Sequence, residues 1–474
     1  MSDEERKRQK KFVRDEFDNT FEISEKIGSG GQGSVYSTTD ENILLKISRI
    51  VEDKKTRDTE YEKIKRVRRV VDPKLKIALP KSMLKLTNRV GYVMELMDGL
   101  ESMADQIERI HTENNLDAEA YRDTRGVFRR LLILSELAET LAKLHGQGLS
   151  FGDLSSDNIF VSKSPENHQV WLIDSDNISY LEQYHADAYY TPGYAAPEII
   201  RRESGNNAIT DCWSFAVIAL ELLAHVHPYN NGIAVIDEDP DIAEEKASKG
   251  EFPWIFDIND DSNENEGGGF PLPSLITDNL FELFQRCFGE SRHYEKIYNR
   301  PTMAEWHYEI HQALNTLLQC TNSECQSYFI KNQAQAVCPF CTTILPKEDY
   351  ITIKYQMLLT PEEKQDINKE ALKSYPLLLS KGQQKNLYLE PHSYFDMDLL
   401  EPWCNLELQK DALIIKPNSL KQSIVLKFMG ADKEHVFDKQ VKLSNDKKTG
   451  RGVILHPSLE HSVYMSDAVW LFKW

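Results

Sequence analysis

No apolar run in this chain is long enough to cross a bilayer, which takes about 20 consecutive apolar residues. A secretory pattern is missing as well, since Met1-Ser2-Asp3-Glu4-Glu5-Arg6-Lys7 opens highly charged where a signal peptide turns apolar. Positive charge is in short supply: 56 Lys and Arg stand against 75 Asp and Glu, a formal net charge of -19. That balance opposes nonspecific binding to nucleic acid or to an anionic membrane and suits basic partners or plain solubility. Cysteine is sparse, seven residues in all, and in an acidic chain without a signal these do not suggest a disulfide framework. The absences together point to a cytoplasmic protein with no nucleic-acid and no membrane partner. What is present is ample, because 474 residues, 41% of them hydrophobic, bury a large core and fill about three domains.

The first chemistry-bearing pattern is Gly28-Ser29-Gly30-Gly31-Gln32-Gly33-Ser34-Val35, flanked by the strand-like Phe21-Glu22-Ile23 and Val35-Tyr36. Side chains absent at Gly28, Gly30 and Gly33 let backbone amides close over phosphates. A dinucleotide fold would open a helix directly after such glycines; here a second strand follows, then Leu44-Leu45-Lys46-Ile47. Thr59-Glu60-Tyr61-Glu62-Lys63-Ile64 begins a charged helical stretch, and Val90-Gly91-Tyr92-Val93-Met94-Glu95-Leu96-Met97 is an apolar strand running into a polar turn. Leu131, Leu134, Leu137, Leu141 and Leu144 recur at helical spacing and predict a buried helix ended by Gly146 and Gly148. His145 reads as a helix-terminal histidine satisfied by the last carbonyls. Then come Phe151-Gly152-Asp153-Leu154-Ser155-Ser156-Asp157-Asn158, the strand Val170-Trp171-Leu172-Ile173 ending in Asp174-Ser175-Asp176, Thr191-Pro192-Gly193-Tyr194-Ala195-Ala196-Pro197-Glu198, Asp211-Cys212-Trp213-Ser214 and Arg300-Pro301-Thr302.

In this order and spacing the motifs resemble those of the protein kinase superfamily, from about Phe21 to Leu317. The resemblance implies an α+β, bilobal protein-kinase fold, with an N-lobe at about 21–97 and a C-lobe at about 98–317 behind a charged segment 1–20. It also implies ATP and Mg2+ as cofactors and a protein substrate. Asp153 would accept the substrate hydroxyl proton, Asn158 and Asp174 would hold magnesium, Lys46 would anchor phosphates, and Glu60 would orient Lys46 while Glu62 faces elsewhere on the helix. Gly28, Gly30, Gly33, Val35, Met94, Glu95 and Met97 would line the nucleotide site, with the hinge after Met94 pairing with adenine. Thr191 is placed to hydrogen-bond Asp153, and Glu198 to pair with Arg300.

The departures from the family pattern are specific. Phe151-Gly152 stands where kinases carry His-Arg, so a phosphate on the activation loop lacks its usual cationic partner. Ser155 replaces the lysine that contacts the transferred phosphate, Asp157 stands where tyrosine kinases place an arginine, and Ser175-Asp176 replaces Phe-Gly. Two readings follow: an active, atypical, bacterial-type Ser/Thr kinase of a signalling or stress-response module, or a pseudokinase scaffold that responds to nucleotide. Retention of Lys46, Asp153, Asn158 and Asp174 favours activity.

Acidic stretches at Ile236 to Asp241 and Asp257 to Glu266 read as an enlarged, flexible loop region. Cys320, Cys325, Cys338 and Cys341 form two pairs able to offer four thiolates to one Zn2+, a zinc ribbon at 318–345. Lys331 is its only basic residue, against a nucleic-acid role, and Cys212, Cys287 and Cys404 read as core residues. A helical linker is expected at 346–385, with Thr360 and Glu363 as a capping box. Period-two patterns at Leu406, Leu408, Ile424, Leu426 and Phe428, with turns at Gly430, Asn445, Gly450 and Gly452, predict an all-β interaction module of sandwich type at 386–474. A kinase followed by a cysteine-pair ribbon, with the Thr191 to Glu198 segment and Gly250-Glu251-Phe252-Pro253-Trp254-Ile255, resembles the kinases of tellurite-resistance-associated modules. That resemblance implies a PP2C-type phosphatase and a von Willebrand-type protein as partners.

Overall fold

The structure is a computed structural model that describes residues 11–29, 33–95, 97–111, 116–180, 188, 190–331, 335–357, 376–388, 402–418, 423–444, 452–457 and 468–473. Gly30, the helix start at Thr360 and the turns at Asn445 and Gly450 lie outside the described residues. Two compact units are formed, Met1–Asp117 with Glu136–Gly269 and Leu283–Ala304, and Ala118–Ser135 with Phe270–Glu282 and Glu305–Trp474. Segments expected in one helical lobe are therefore divided between the two.

The first unit opens with six antiparallel strands, β1 (Lys11–Arg14), β2 (Thr20–Ser29), β3 (Gly33–Thr38), β4 (Ile43–Ser48), β5 (Ser82–Met83) and β6 (Gly91–Glu95), in the order β1-β2-β3-β4-β6-β5. Part of the segment taken as a charged extension before Phe21 is thus paired strand, with Lys11 opposite Ile23. Alternation along β4 sorts its side chains between faces. Leu45 and Ile47 join Leu84 and Val93 on one face, and Leu44 joins Tyr92, Met94 and Ile64 of helix α1 (Lys54–Val70) on the other. Asp53 caps α1 by accepting a bond from the Thr56 amide.

Leu131, Leu134, Leu137, Leu141 and Leu144 of the Gly126–Gly146 helix are fully buried at 0 %, so the predicted stripe holds. Helix Ala208–Ala224 starts at a reciprocal capping box between Asn207 and Thr210. The first acidic stretch differs from the expected loop. Asp239 caps a helix over Pro240–Ser248, with proline in its first turn. In the second stretch Asn263 is fully buried and donates to the carbonyls of Pro253 and Tyr229, which pins the turn.

In the second unit, hairpins Leu317–Gln319 with Tyr328–Ile330 and Ala336–Val337 with Ile344–Leu345 carry the four clustered cysteines. Two antiparallel sheets follow. One orders Pro376–Ser380, Tyr350–Met357, Ala468–Lys473, Gly452–Pro457, Ile424–Phe428 and Glu434–Phe437; the other orders Gln384–Leu387, Cys404–Leu408, Ala412–Pro417 and Val441–Ser444. Both supply one core, with Ile353, Leu379, Leu426 and Phe472 from the first and Leu406 and Ile415 from the second, as the period-two pattern predicts. The expected helical linker is corrected where it is described: Tyr350–Met357 and Pro376–Ser380 are paired strands. Ile351, Ile353 and Tyr355 are buried while Thr352 and Lys354 are not, a period of two that marks a strand. Gly452 likewise begins a strand instead of a turn. The ribbon does not stand apart, because Leu318, Phe329 and Leu345 share a core with Tyr350 and Leu378.

Candidate active site

Strand β4 lies between β3 and β6 and sets Lys46 opposite Val35 on one side and Tyr92 on the other. Lys46 is 6% exposed. Its Nζ lies 2.9 Å from both carboxylate oxygens of Asp176 and 3.1 Å from Asp174 Oδ1. Burial pulls the ammonium pKa down, but the two carboxylates outweigh it and leave it above its ordinary value. The Tyr92 hydroxyl donates to Asp176 at 3.4 Å, and burial, then the negative charge of Asp176, hold that hydroxyl well above its usual range.

Asp174 has φ 61° and ψ 48°, left-handed backbone that a non-glycine residue adopts at a cost of about 1–3 kcal/mol. The turn Ser175–Asn177 that follows is held by the Ser175 hydroxyl, which donates to the Ala78 carbonyl at 2.9 Å. Burial raises the Asp174 carboxyl, Lys46 opposes the rise and Asp176 adds to it. The expected Glu60–Lys46 pair is not formed, since Lys46 is taken up by Asp174 and Asp176. Glu60 stands on α1 with its carboxyl raised by burial, eased by Lys63 and pushed further by Asp176.

The Asp153 loop is hung from the Ala208–Ala224 helix. Asp211 accepts the amides of Phe151 and Gly152 at 2.7 and 2.9 Å and pairs with His145 Nε2 at 3.0 Å. His145 thus answers a carboxylate on another helix, not the last carbonyls of its own. Gly152 has φ 93°, and a Cβ there would sit 3.1 Å from Asn206 Nδ2 and 3.2 Å from the Asn177 carbonyl. A side chain at this position, arginine included, would be strained on that backbone. Thr191 donates to Asp153 Oδ1 at 2.9 Å, and Asn158 Nδ2 donates to the Asp153 carbonyl at 2.9 Å. Burial raises the Asp153 carboxyl, with Thr191 and Lys46 pulling against it. Ser155 is fully buried, and its hydroxyl has no partner among the described residues.

Of the nucleotide-lining candidates, Gly33 is required by packing, because a Cβ there would meet the Ile47 carbonyl at 2.4 Å. Val35 and Met94 pack in the cluster on the Lys46 face, whereas Glu95 is exposed and pairs with Lys81, and Met97 is half-buried. Gly28 meets only the Val35 Cβ at 3.9 Å. Beyond Thr191, Tyr194 bridges Ser156 at 2.7 Å and Glu221 at 2.8 Å, and burial pushes Glu221 up to about 7 against that bond. Glu198 pairs with Arg300 as expected, at 2.8 Å with both side chains 1% exposed. A cavity of about 650 Å3 lies beside Tyr190, Pro192, Ala195, Val217 and Ala243, apart from Lys46. Asp176 and Tyr92 were not singled out from the sequence; an acid two residues beyond Asp174, read there only as part of the Ser-Asp that replaces Phe-Gly, was the available signal.

In the second unit, ligand atoms of Cys320, Cys325, Cys338 and Cys341 all lie within 4.8 Å of one another. Sγ of Cys320 is 3.5 Å from that of Cys341, and Sγ of Cys325 is 3.8 Å from that of Cys338. Among the described residues this is the one group of three or more such side chains close enough to share a metal ion.

The model of the protein kinase domain matches residues 21–316. The chain therefore belongs to the protein kinase domain family. Among its relatives are ribosomal protein S6 kinase 2 alpha of Xenopus laevis, 27% identical over 230 residues, 47% of this chain and 29% of that protein, and the serine/threonine-protein kinase dkf-2 of Caenorhabditis briggsae, 28% identical over 158 residues, 33% of this chain and 12% of that one. Ribosomal protein S6 kinase alpha-2 of Mus musculus is 29% identical over 227 residues, 46% of this chain and 28% of the relative. The match spans less than a third of these relatives' length. Among the described residues no helix is long and apolar enough to cross a membrane.

Proposed function

We propose that the chain is an ATP- and Mg2+-dependent protein Ser/Thr kinase that transfers the γ-phosphate to hydroxyls of a protein partner. The carrying observation is the meeting, in one compact unit, of buried Lys46 with Asp174 at 3.1 Å and of Asp153 with Thr191 at 2.9 Å. In this reading Asp153 takes the hydroxyl proton and Lys46 holds phosphate oxygens. Asp174 and Asn158 offer the hard oxygen ligands magnesium prefers, and the ion would neutralise charge on the phosphates. Thr191 fixes the Asp153 carboxylate, and Asn158 is fixed in turn by its bond to the Asp153 carbonyl. The cavity beside Pro192 has room for side chains of a polypeptide substrate.

The cysteine cluster is proposed to hold zinc. Sulfurs at about 2.3 Å from a tetrahedral ion lie about 3.8 Å apart, and two of the pairs stand at 3.5 and 3.8 Å. Its role is structural, tying together two hairpins of only two- and three-residue strands. A bacterial signalling role, a cytoplasmic location and partnership with a PP2C-type phosphatase and a von Willebrand-type protein follow from the resemblance of the domain order, and co-purification tests the partners.

The second reading, a pseudokinase scaffold, is favoured by one observation: Ser155 is buried where a phosphate-facing lysine is expected. Transfer from labelled ATP with magnesium to itself or to a generic protein decides between them. Incorporation that vanishes in Asp153→Asn supports the kinase; equal incorporation in both proteins ends that reading.

A further inference from the structure

We infer that Asp176, not Glu60, is the residue that positions Lys46 for the nucleotide phosphates. This rests on the proposed nucleotide site but not on its turning over. A buried lysine keeps its charge and its direction only if an anion holds it. Among the described residues two carboxylates do so, and their duties differ. Asp174 meets Nζ through one oxygen at 3.1 Å, whereas Asp176 grips it through both at 2.9 Å. Asp174 is also the group best placed to turn to a magnesium ion, and Asp176 then remains as the fixed counter-charge.

Three features hold Asp176 still. It sits in the turn Ser175–Asn177, whose Ser175 side chain is fully buried and bonded to the Ala78 carbonyl at 2.9 Å. Tyr92, which stands opposite Lys46 on the neighbouring strand, donates to the same Asp176 Oδ1 at 3.4 Å. Helix α1 contributes positive charge to the same spot, because half-buried Lys63 has its ammonium pulled down by burial and supported by Asp176 and then Glu60. Glu60 therefore faces a cation of its own helix one turn on. The departure from Phe-Gly after Asp174 thus carries a purpose: the carboxylate that orients the lysine rides on the turn beside the metal ligand, and α1 need not supply it.

A thermodynamic cycle on ATP affinity tests this, measured by displacement of a fluorescent ATP analogue at saturating Mg2+ and again in EDTA, with Lys46→Met, Asp176→Asn, Glu60→Gln and the double variants. Asp176→Asn is expected to change ATP affinity at least about threefold, and the change is expected to vanish in the Lys46→Met background, because residues that act through one another are not additive. Glu60→Gln is expected to multiply with Lys46→Met. Persistence of the Asp176→Asn effect in Lys46→Met together with a raised half-saturating Mg2+ would make Asp176 a metal ligand and overturn the inference. So would an Asp176→Asn protein with wild-type affinity, or coupling of Lys46 to Glu60 instead. The cycle reads binding, so a chain that binds ATP without transferring phosphate refutes the kinase reading alone. Circular dichroism and melting curves check that each variant is folded, and Asp176→Glu, which keeps the charge, is expected to restore the coupling in part if Asn unfolds the turn.

Discussion

Replacing Glu198 by alanine is expected to be among the most damaging single changes in the first unit. Glu198 Oε1 and Oε2 accept from Arg300 at 2.8 and 3.3 Å, and each side chain is 1% exposed. The guanidinium also donates to the carbonyls of Ile209 and Ser291 at 2.9 Å each and lies 5.0 Å from the Trp213 ring, so it cannot swing out to water without breaking its surroundings. Truncation would strand a buried cation whose charge, among the described residues, Glu198 balances. Breaking such a pair costs about 3–5 kcal/mol, which in a domain of this size lowers the melting temperature by about 10 °C. Replacing both partners by apolar residues of similar volume, Glu198→Leu with Arg300→Met, is expected to recover most of that loss, because it removes the desolvation penalty along with the attraction. Thermal melts followed by circular dichroism measure all three variants. A Glu198→Ala loss below about 1 kcal/mol, or a double variant that loses the sum of the two single losses, refutes the reasoning. Activity should fall with stability, since Glu198 ends the segment whose Thr191 fixes Asp153.

Thr191→Val removes a hydrogen bond to a carboxylate and is expected to slow phosphate transfer by about tenfold or more. It should also move the acid limb of the rate profile upward in pH, because the Thr191 bond opposes the burial that raises the Asp153 carboxyl; an unmoved limb counts against Asp153 as the base. Glu221 ionises in the unfolded chain near 4.5 and in the folded one at about 7. The folded state therefore binds the extra proton between those values, and stability should rise as pH falls from about 7 toward 4.5. Glu221→Gln is expected to flatten that dependence and to stabilise the protein at pH 8 by on the order of 3 kcal/mol, read from urea unfolding at several pH values. Metal analysis is expected to find one zinc per chain, lost in Cys338→Ser, and chelation is expected to lower the melting temperature of the second unit; a metal-free chain that melts unchanged removes the zinc reading.

Local grammar made much of this molecule legible. Glycines, an apolar strand ending in Asp174, the Asp153 to Asn158 spacing and the two cysteine pairs are short-range patterns, and each reports a backbone or ligand need that arises within a few residues. The Leu131 to Leu144 stripe and the alternation at Leu406 and Ile424 were equally readable, because burial on one face imposes a period. The boundary of the β module was missed at Tyr350 to Tyr355, a short alternation that sat beside charged sequence and a good helix start.

The amino-acid order by itself determined the family and the motifs that carry it, since those are set by spacing along the chain. Which carboxylate holds Lys46 was decided only by folding. Glu60 and Asp176 are both plausible partners on paper, and the choice depends on how the turn after Asp174 is pinned to the Ala78 carbonyl and how α1 presents Lys63. The same holds for His145, which is tied to Asp211 across 3.0 Å, and for Gly152, whose positive φ and tight approach to Asn206 and the Asn177 carbonyl disfavour any side chain there. Such contacts join residues far apart in sequence, so no local pattern encodes them; they follow from packing, which brings charges together at distances that a linear reading does not contain.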